Sequence, residues 1–423
     1  MQFALRAGIL VLVLAASLPR VAGAQESVLG NGVEGLLEWA RERNPEYATM
    51  RLEAEAAAER IVPAGALPDP KLRTELMGIT KGGAQNATLS PSRVGNTRYT
   101  LMQDVPWFGK RDLKREIATL EAEAAKGRSL GTWTELAARI KTAYAQLYYV
   151  FGNERLTREI LDLMARLEGV AQVRYAGGLA AQQDVVRAQV EQTDLRNELI
   201  ALENERRGLL ARMNALLSRP ATAALAEPRM LRTLPAPVRL DFAALEERVR
   251  ARNPFLFTEE SRIKAAEKSR ELTYKNRYPD FTFGLTPNQI QNSVKQWDLM
   301  VELNIPLQQA SRRSQERESE AMLAAARARK EATANQVLSE LSENLAGIEA
   351  AQRTQTLVET SLLPQADLTF QAALPGYETG KVDFATLIDA LRQIRQAKQN
   401  LIKAQAEGQA RLGDIERLLG EDL

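Results

Sequence analysis

Residues 297–306 read Trp-Asp-Leu-Met-Val-Glu-Leu-Asn-Ile-Pro, and the alternation within them decides the fold. On an extended strand Trp297, Leu299, Val301, Leu303 and Ile305 fall on one face, and Asp298, Met300, Glu302 and Asn304 on the other. Two environments produce this pattern. One is a half-buried soluble sheet; the other is a transmembrane barrel strand, apolar toward lipid and polar toward the lumen. A tilted strand of about 9–11 residues crosses a bilayer, which fits the second. Periodicity alone does not choose between them.

The same strand end occurs earlier. Leu101-Met102-Gln103-Asp104-Val105-Pro106 matches Val301-Glu302-Leu303-Asn304-Ile305-Pro306. Asn44-Pro45 returns as Asn253-Pro254, and Pro68-Asp69 as Pro279-Asp280. Tyr175, Gly178, Val185, Val186 and Ala188 return as Tyr377, Gly380, Leu387, Ile388 and Ala390, and Met213–Leu217 as Ile415–Leu419. The offset stays between roughly 200 and 211 residues, so the chain is two copies of one unit. Each copy predicts a short helix, a strand pair, a very long helix, a turn and a returning helix.

Residues 1–24 read as a secretory signal. Arg6 is followed by an apolar run from Ala7 to Leu18, and Ala22-Gly23-Ala24 forms a small-residue cleavage site. No other apolar stretch approaches the ~20 residues of a transmembrane helix. The sequence contains neither cysteine nor histidine. It therefore lacks the usual ligands for soft metals, the commonest general base and the common nucleophilic triads. No cofactor or metal site is expected, and no enzyme. Lys and Arg number 56 against 54 Asp and Glu; removing Arg6 and Arg20 with the signal leaves 54 of each sign, which is no nucleic-acid balance.

The units are expected over 25–217 and 241–423, with β-hairpins near 71–106 and 280–306 and helical hairpins near 110–217 and 308–420. Residues 218–240 carry Pro220, Pro228, Pro235 and Pro237 and read as an extended linker packed on the outside. Pro63, Pro68 and Pro70 should end the first short helices, and the segment 81–96 reads as a long loop. Lys110 to about Arg174 has helical apolar periodicity and no proline, so it should span ~96 Å. The second copy runs from about Ser311 to Ala373, turns at Pro375-Gly376 to Gly380, and is bent or shortened by Pro364. Helices this long must pack along one another as coiled coils.

Four strands cannot close a barrel, and open sheet edges in lipid leave unpaired polar groups. Strands from several copies must be pooled. Two copies give eight strands around a filled interior; three give twelve around water. The polar face favours twelve. The expected fold is a mixed α/β membrane protein: antiparallel coiled-coil hairpins forming an α-barrel, plus four transmembrane strands per chain in a 12-stranded trimeric β-barrel.

Gln103-Asp104-Val105-Pro106-Trp107-Phe108-Gly109-Lys110-Arg111 resembles the strand-to-helix signature of the TolC family of outer-membrane efflux channels. With Leu67-Pro68-Asp69-Pro70, it is most like the branch linked to heavy-metal cation export. Tyr377-x-x-Gly380-Lys381-Val382-Asp383-Phe384, followed by Leu387-Ile388-Asp389-Ala390, is similar to that family's helix-turn-helix tip. The resemblance covers essentially all of 31–423. It implies a homotrimer in the outer membrane of a Gram-negative bacterium, its tunnel reaching across the periplasm. The tips would meet a periplasmic adaptor (membrane fusion protein), joined to an inner-membrane pump of the resistance-nodulation-division type.

Residue by residue, the resemblance places adaptor-contacting tips at Tyr175, Gly178, Leu179, Ala180 and at Tyr377, Gly380, Lys381, Val382. Asp389 falls on a lumen-facing gate acid and Asp184 on a tip acid of the closed state. Thr386 stands where the family has its second gate acid, and Val382 where it has a basic tip partner. Asp104, Asp298, Glu302 and Asn304 are expected to face the barrel lumen. Trp107 and Phe108, at the junction, read as an interfacial anchor or as local packing. A periplasmic coiled-coil adaptor or scaffold is the competing reading, but it would need neither two strand pairs nor their apolar face. The cargo, whether heavy-metal cations, drugs or other small molecules, is not written in the sequence.

Overall fold

The computed structural model describes residues 29–79, 89–91, 94–290 and 293–423; the signal read in 1–24 and much of the 81–96 loop lie outside them. The first unit contains α1 (Val33–Arg43), α2 (Pro45–Glu59), α3 (Ile61–Gly65), β1 (Lys71–Met77), β2 (Asn96–Val105), α4 (Lys110–Ala176) and α5 (Gln182–Leu216). The second contains α6 (Phe242–Arg252), α7 (Pro254–Lys275), β3 (Phe281–Ile290), β4 (Ser293–Leu303), α8 (Gln309–Leu357), α9 (Leu363–Glu378) and α10 (Phe384–Leu419). No helix among the described residues is long and apolar enough to cross a membrane.

The repeated Asn-Pro pairs do the same work twice. Asn44 Oδ1 accepts from the Tyr47 amide at 3.1 Å, and Asn253 Oδ1 from the Phe255 and Leu256 amides at 2.9 Å each. They cap α2 and α7, and the following proline suits a first helical turn. Their Nδ2 atoms donate to the carbonyls of Leu216 and Leu418, each at 2.8 Å. Each asparagine thus fastens a short helix to the end of its unit's returning helix and satisfies a carbonyl with no helical partner.

α4 is one uninterrupted helix of 67 residues, about 100 Å long. Its counterpart is broken. A π-helical turn (Val358–Leu362) precedes Pro364, which sits in the first turn of α9. Proline has no N–H and its ring crowds the carbonyl four residues back, so the extra residue of a π turn relieves the clash. The turn expected at Pro375-Gly376 lies later. α9 carries Pro375 inside it and ends at Glu378, and Gly380 at φ +74° makes the reversal. Pro63 likewise lies inside α3.

α5 and α10 both lie along α4, α10 also packs on α8 and α9, and α7 lies between α4 and α8. The lower helices therefore run in the order α5, α4, α10, α8/α9, with two unpartnered outer members. α5 exposes Val186, Val190 and Ile200 there, and α8/α9 expose Leu357 and Leu368. The linker joins the halves. Leu225 and Leu231 pack on the first unit's core around Leu36 and Ile140, and Leu234 and Leu240 on the second's around Leu341 and Ile415. A buried ion cluster adds to this: Lys141 Nζ lies 2.6 Å from Glu416 and 2.5 Å from Asp422, and Arg232 of the linker lies 2.7 Å from Glu416.

Candidate functional site

The sheet is antiparallel throughout, in the order β1-β2-β3-β4, so the two hairpins join through β2 and β3. Register brings like residues together. Phe281, Phe283 and Leu285 pair with Leu303, Val301 and Leu299, and Leu101 pairs with both Leu72 and Leu285. On the opposite face Asp104 pairs with Thr282, Thr282 with Glu302, and Thr286 with Asp298. The apolar face is uncovered, with Leu299 76% exposed and Trp297, Val301 and Leu72 also in the open. The polar face is partly buried, at Thr100, Thr286 and Asn288. Thr100 and Thr286 hydroxyls bond across it at 2.8 Å, Asp104 accepts from Lys71 and Thr282 at 2.7 Å each, and Asn288 Nδ2 donates to Asp298 at 2.6 Å. An open apolar patch of this extent on a sheet marks an interaction surface. Among the described residues, the outer strands β1 and β4 are each paired on one side only.

Below the sheet, the Pro106–Arg111 motif is a joint. The Trp107 amide and Lys110 Nζ both donate to Asp280 Oδ1, at 2.8 Å each, and Lys110 Nζ also reaches the Tyr278 carbonyl at 2.9 Å. Gly109 caps α4 at φ +75°, a conformation other residues rarely adopt. Trp107 stacks on Tyr278 and Phe281 at 5.1 and 5.6 Å, while Phe108 is exposed. Both readings of this pair thus have a counterpart: Trp107 packs locally and Phe108 projects.

At the other end of the helices the two tips differ. Gly178 (φ +69°) turns α4 into α5, and Gly380 turns α9 into α10. Tyr175 is 47% exposed and Leu179 70%, whereas Tyr377 is 2% exposed and rests on Phe384 at 5.1 Å. The Tyr377 hydroxyl donates to Asp184 Oδ2 at 3.3 Å. Burial first, then the Asp184 carboxylate, pushes the Tyr377 phenol up to about 12. Ala180 is half-buried; Lys381 is exposed. Val382 packs against Gly376, where an added Cβ would lie 2.7 Å from a Val382 methyl.

Asp184 and Tyr377, expected from separate units, are therefore brought together. Thr386 is engaged elsewhere: its amide and hydroxyl donate to Asp383 Oδ1, at 2.9 and 2.5 Å, in the cap of α10. That hydroxyl holds the Asp383 carboxyl below the usual range. Asp389 is exposed on α10 and paired with Arg392 at 3.3 Å. Sequence reasoning missed Arg174, which lies over the Tyr377 ring at 4.9 Å, and the pairs Arg392–Glu191 and Arg395–Glu198 that tie α10 to α5. Arg174 has no counterpart in the second unit, where Gly376 stands, so the repeat gave no signal for it.

A strand pair and a long helical hairpin, each present twice, with a two-faced four-stranded sheet, define a TolC-like channel protomer. The solved outer membrane protein VceC of Vibrio cholerae has this fold, with a TM-score of 0.78 at 18% identity over 92% of this chain and 96% of that one. CusC matches with a TM-score of 0.78 at 16% identity, covering 96% of each chain. The cobalt-zinc-cadmium resistance protein CzcC of Cupriavidus metallidurans is 24% identical over 413 residues, 92% of this chain and 90% of that protein. The model of the outer membrane efflux protein family matches twice, over 36–219 and 245–421. The chain belongs to that family: it is an outer-membrane efflux channel component of a Gram-negative bacterium, a passive conduit and not an enzyme.

Proposed function

We propose that three copies close into one conduit, β4 of each pairing with β1 of the next to give twelve strands. Four long helices per chain then give twelve around the same axis. The observation carrying this reading is the sheet: one face apolar and uncovered, the other polar and partly buried, with each outer strand paired on one side only among the described residues. Lipid covers the first face, water fills the second, and copies of the chain satisfy the edges. The units at 25–217 and 241–423 each contribute one hairpin of strands and one of helices, with Asp104, Asp298, Glu302 and Asn304 toward the lumen.

At the far end, the tips around Tyr175, Gly178, Leu179 and Ala180 and around Tyr377, Gly380, Lys381 and Val382 meet a periplasmic adaptor, which links the conduit to a resistance-nodulation-division pump. Asp389 lines the constriction as a ring of three carboxylates, with Asp184 and Thr386 in the surrounding tip. Such a ring favours cations. Heavy-metal cations are the proposed cargo, in keeping with the name of the CzcC relative. A channel hands cations on without soft ligands, so the absence of His and Cys does not oppose this.

Reconstitution in planar bilayers tests the reading. Purified protein should give discrete cation-preferring steps, and Asp389→Ala should lose the preference. No conductance would overturn the conduit, and unchanged selectivity would overturn the role of Asp389. Deleting the gene should raise cell-associated zinc, cobalt or cadmium; unaltered metal content would rule out that cargo.

A further inference from the structure

We infer that Arg174 is the positioning residue that holds the two tips of one protomer together, supplying from the first unit the basic partner absent at Val382. This rests on the reading of the tips as the gate. Arg174 sits on the last turn of α4. Its Nη2 donates to the Leu179 carbonyl of its own turn at 3.1 Å, and its Nη1 donates to the Glu378 carbonyl at the end of α9. Its guanidinium carbon lies over the Tyr377 ring at 4.9 Å. One side chain thus spans both reversals and covers the tyrosine whose hydroxyl is held by Asp184. Tyr377 is gripped from the first unit at both ends, by α4 above the ring and by α5 at the hydroxyl.

Three features fit a tie of this kind. Arg174 makes no ion pair among the described residues, so no carboxylate competes for the guanidinium. The planar fork of arginine can reach two carbonyls at once, which a lysine ammonium on a single flexible stem does less well. At Gly380 an added Cβ would lie 3.4 Å from Arg174 Nη2, so the left-handed glycine both makes the turn and leaves room for the guanidinium. The grip is also unsymmetrical: Gly376 stands at the equivalent position, and Tyr175 has no such cover.

The test uses full-length trimer in planar bilayers, with the Asp184→Asn/Tyr377→Phe double variant as the control for the gate itself. Arg174→Ala and Arg174→Lys should each raise single-channel conductance several-fold, approaching the control. A raised control with both Arg174 variants at the native value would overturn the role of Arg174 and leave the gate reading standing. If the control also stays at the native value, the gate reading fails, and a second measurement decides on Arg174. Because the sequence has no cysteine, Leu179→Cys and Glu378→Cys can be spin-labelled alone. The distance distribution between them should broaden in Arg174→Ala; an unchanged distribution would overturn the tie.

Discussion

Tyr175 and Tyr377 occupy the same place in the two units, yet one stands half in solvent and the other is buried beneath an arginine. The backbone around them is alike, down to a left-handed glycine three residues on. What differs is the neighbour in sequence, Arg174 against Gly376, and the acid at the start of the returning helix, Asp184 against Thr386. Duplication supplied the scaffold twice, and a few unmatched side chains turned one tip into the holder and the other into the held.

The copies also differ at Asn214 and Glu416, equivalent positions. Asn214 Nδ2 donates to the Ala221 and Ala223 carbonyls, at 3.2 and 2.9 Å, whereas Glu416 anchors the buried cluster with Lys141 and Arg232. Glu416→Ala should cost about 3–5 kcal/mol, because it leaves buried Lys141 without its one buried carboxylate partner, Asp422 being mostly exposed. Asn214→Ala should cost about 1–3 kcal/mol. Denaturant unfolding in detergent would read both, and equal losses would remove the distinction.

The sheet should behave oppositely, as two true copies. Leu101→Arg and Val301→Arg place a charge on the same apolar face and should each cost about 2–4 kcal/mol near a bilayer midplane, lowering the yield of assembled protein. Glu302→Gln, on the other face, should assemble as the native chain does. Normal assembly of either arginine variant would refute the face assignment. The asparagine ties are equivalent too. Asn44→Ala and Asn253→Ala should each destabilise by about 1–2 kcal/mol, and a clear inequality would mean the ties are not alike.

The smallest effect returns to the tyrosines. Tyr377→Phe removes one partly buried hydrogen bond, worth about 1 kcal/mol, and Tyr175→Phe should change stability by less than about 0.5 kcal/mol. The sign of the pH effect follows from the raised phenol. The neutral form is the one favoured in the fold, so the contribution is complete below the ordinary tyrosine value of about 10 and disappears as pH rises toward 12. Ultraviolet titration of native protein should show a phenol ionising near 12 that Tyr377→Phe abolishes. Persistence of that step in the variant would place it elsewhere.

Much of this was legible in the sequence because periodicity and repetition are local signals. The alternation over 297–303 separated the two faces of β4, and Asn44-Pro45 with Asn253-Pro254 marked the repeat but not the helix caps they make. The bounds of α4 were readable because no proline interrupts it. The course of α9 past Pro375 was not, because a proline in a helix written next to a glycine looks like a turn until packing on α10 holds the last turn in place. The tip was half legible. Tyr377, Gly380 and Asp184 stood out by repetition or resemblance, whereas Arg174 meets Tyr377 and Glu378 across some 200 residues and is absent from the repeat.

The central claim, that several copies of this chain close into one membrane-anchored tube, is tested most directly by the native mass of protein extracted from outer membranes in mild detergent, with single-particle images of the same sample. The account predicts a trimer with a helical tube of about 100 Å continuing from a short barrel. A monomer or dimer recovered from the soluble periplasmic fraction would contradict it.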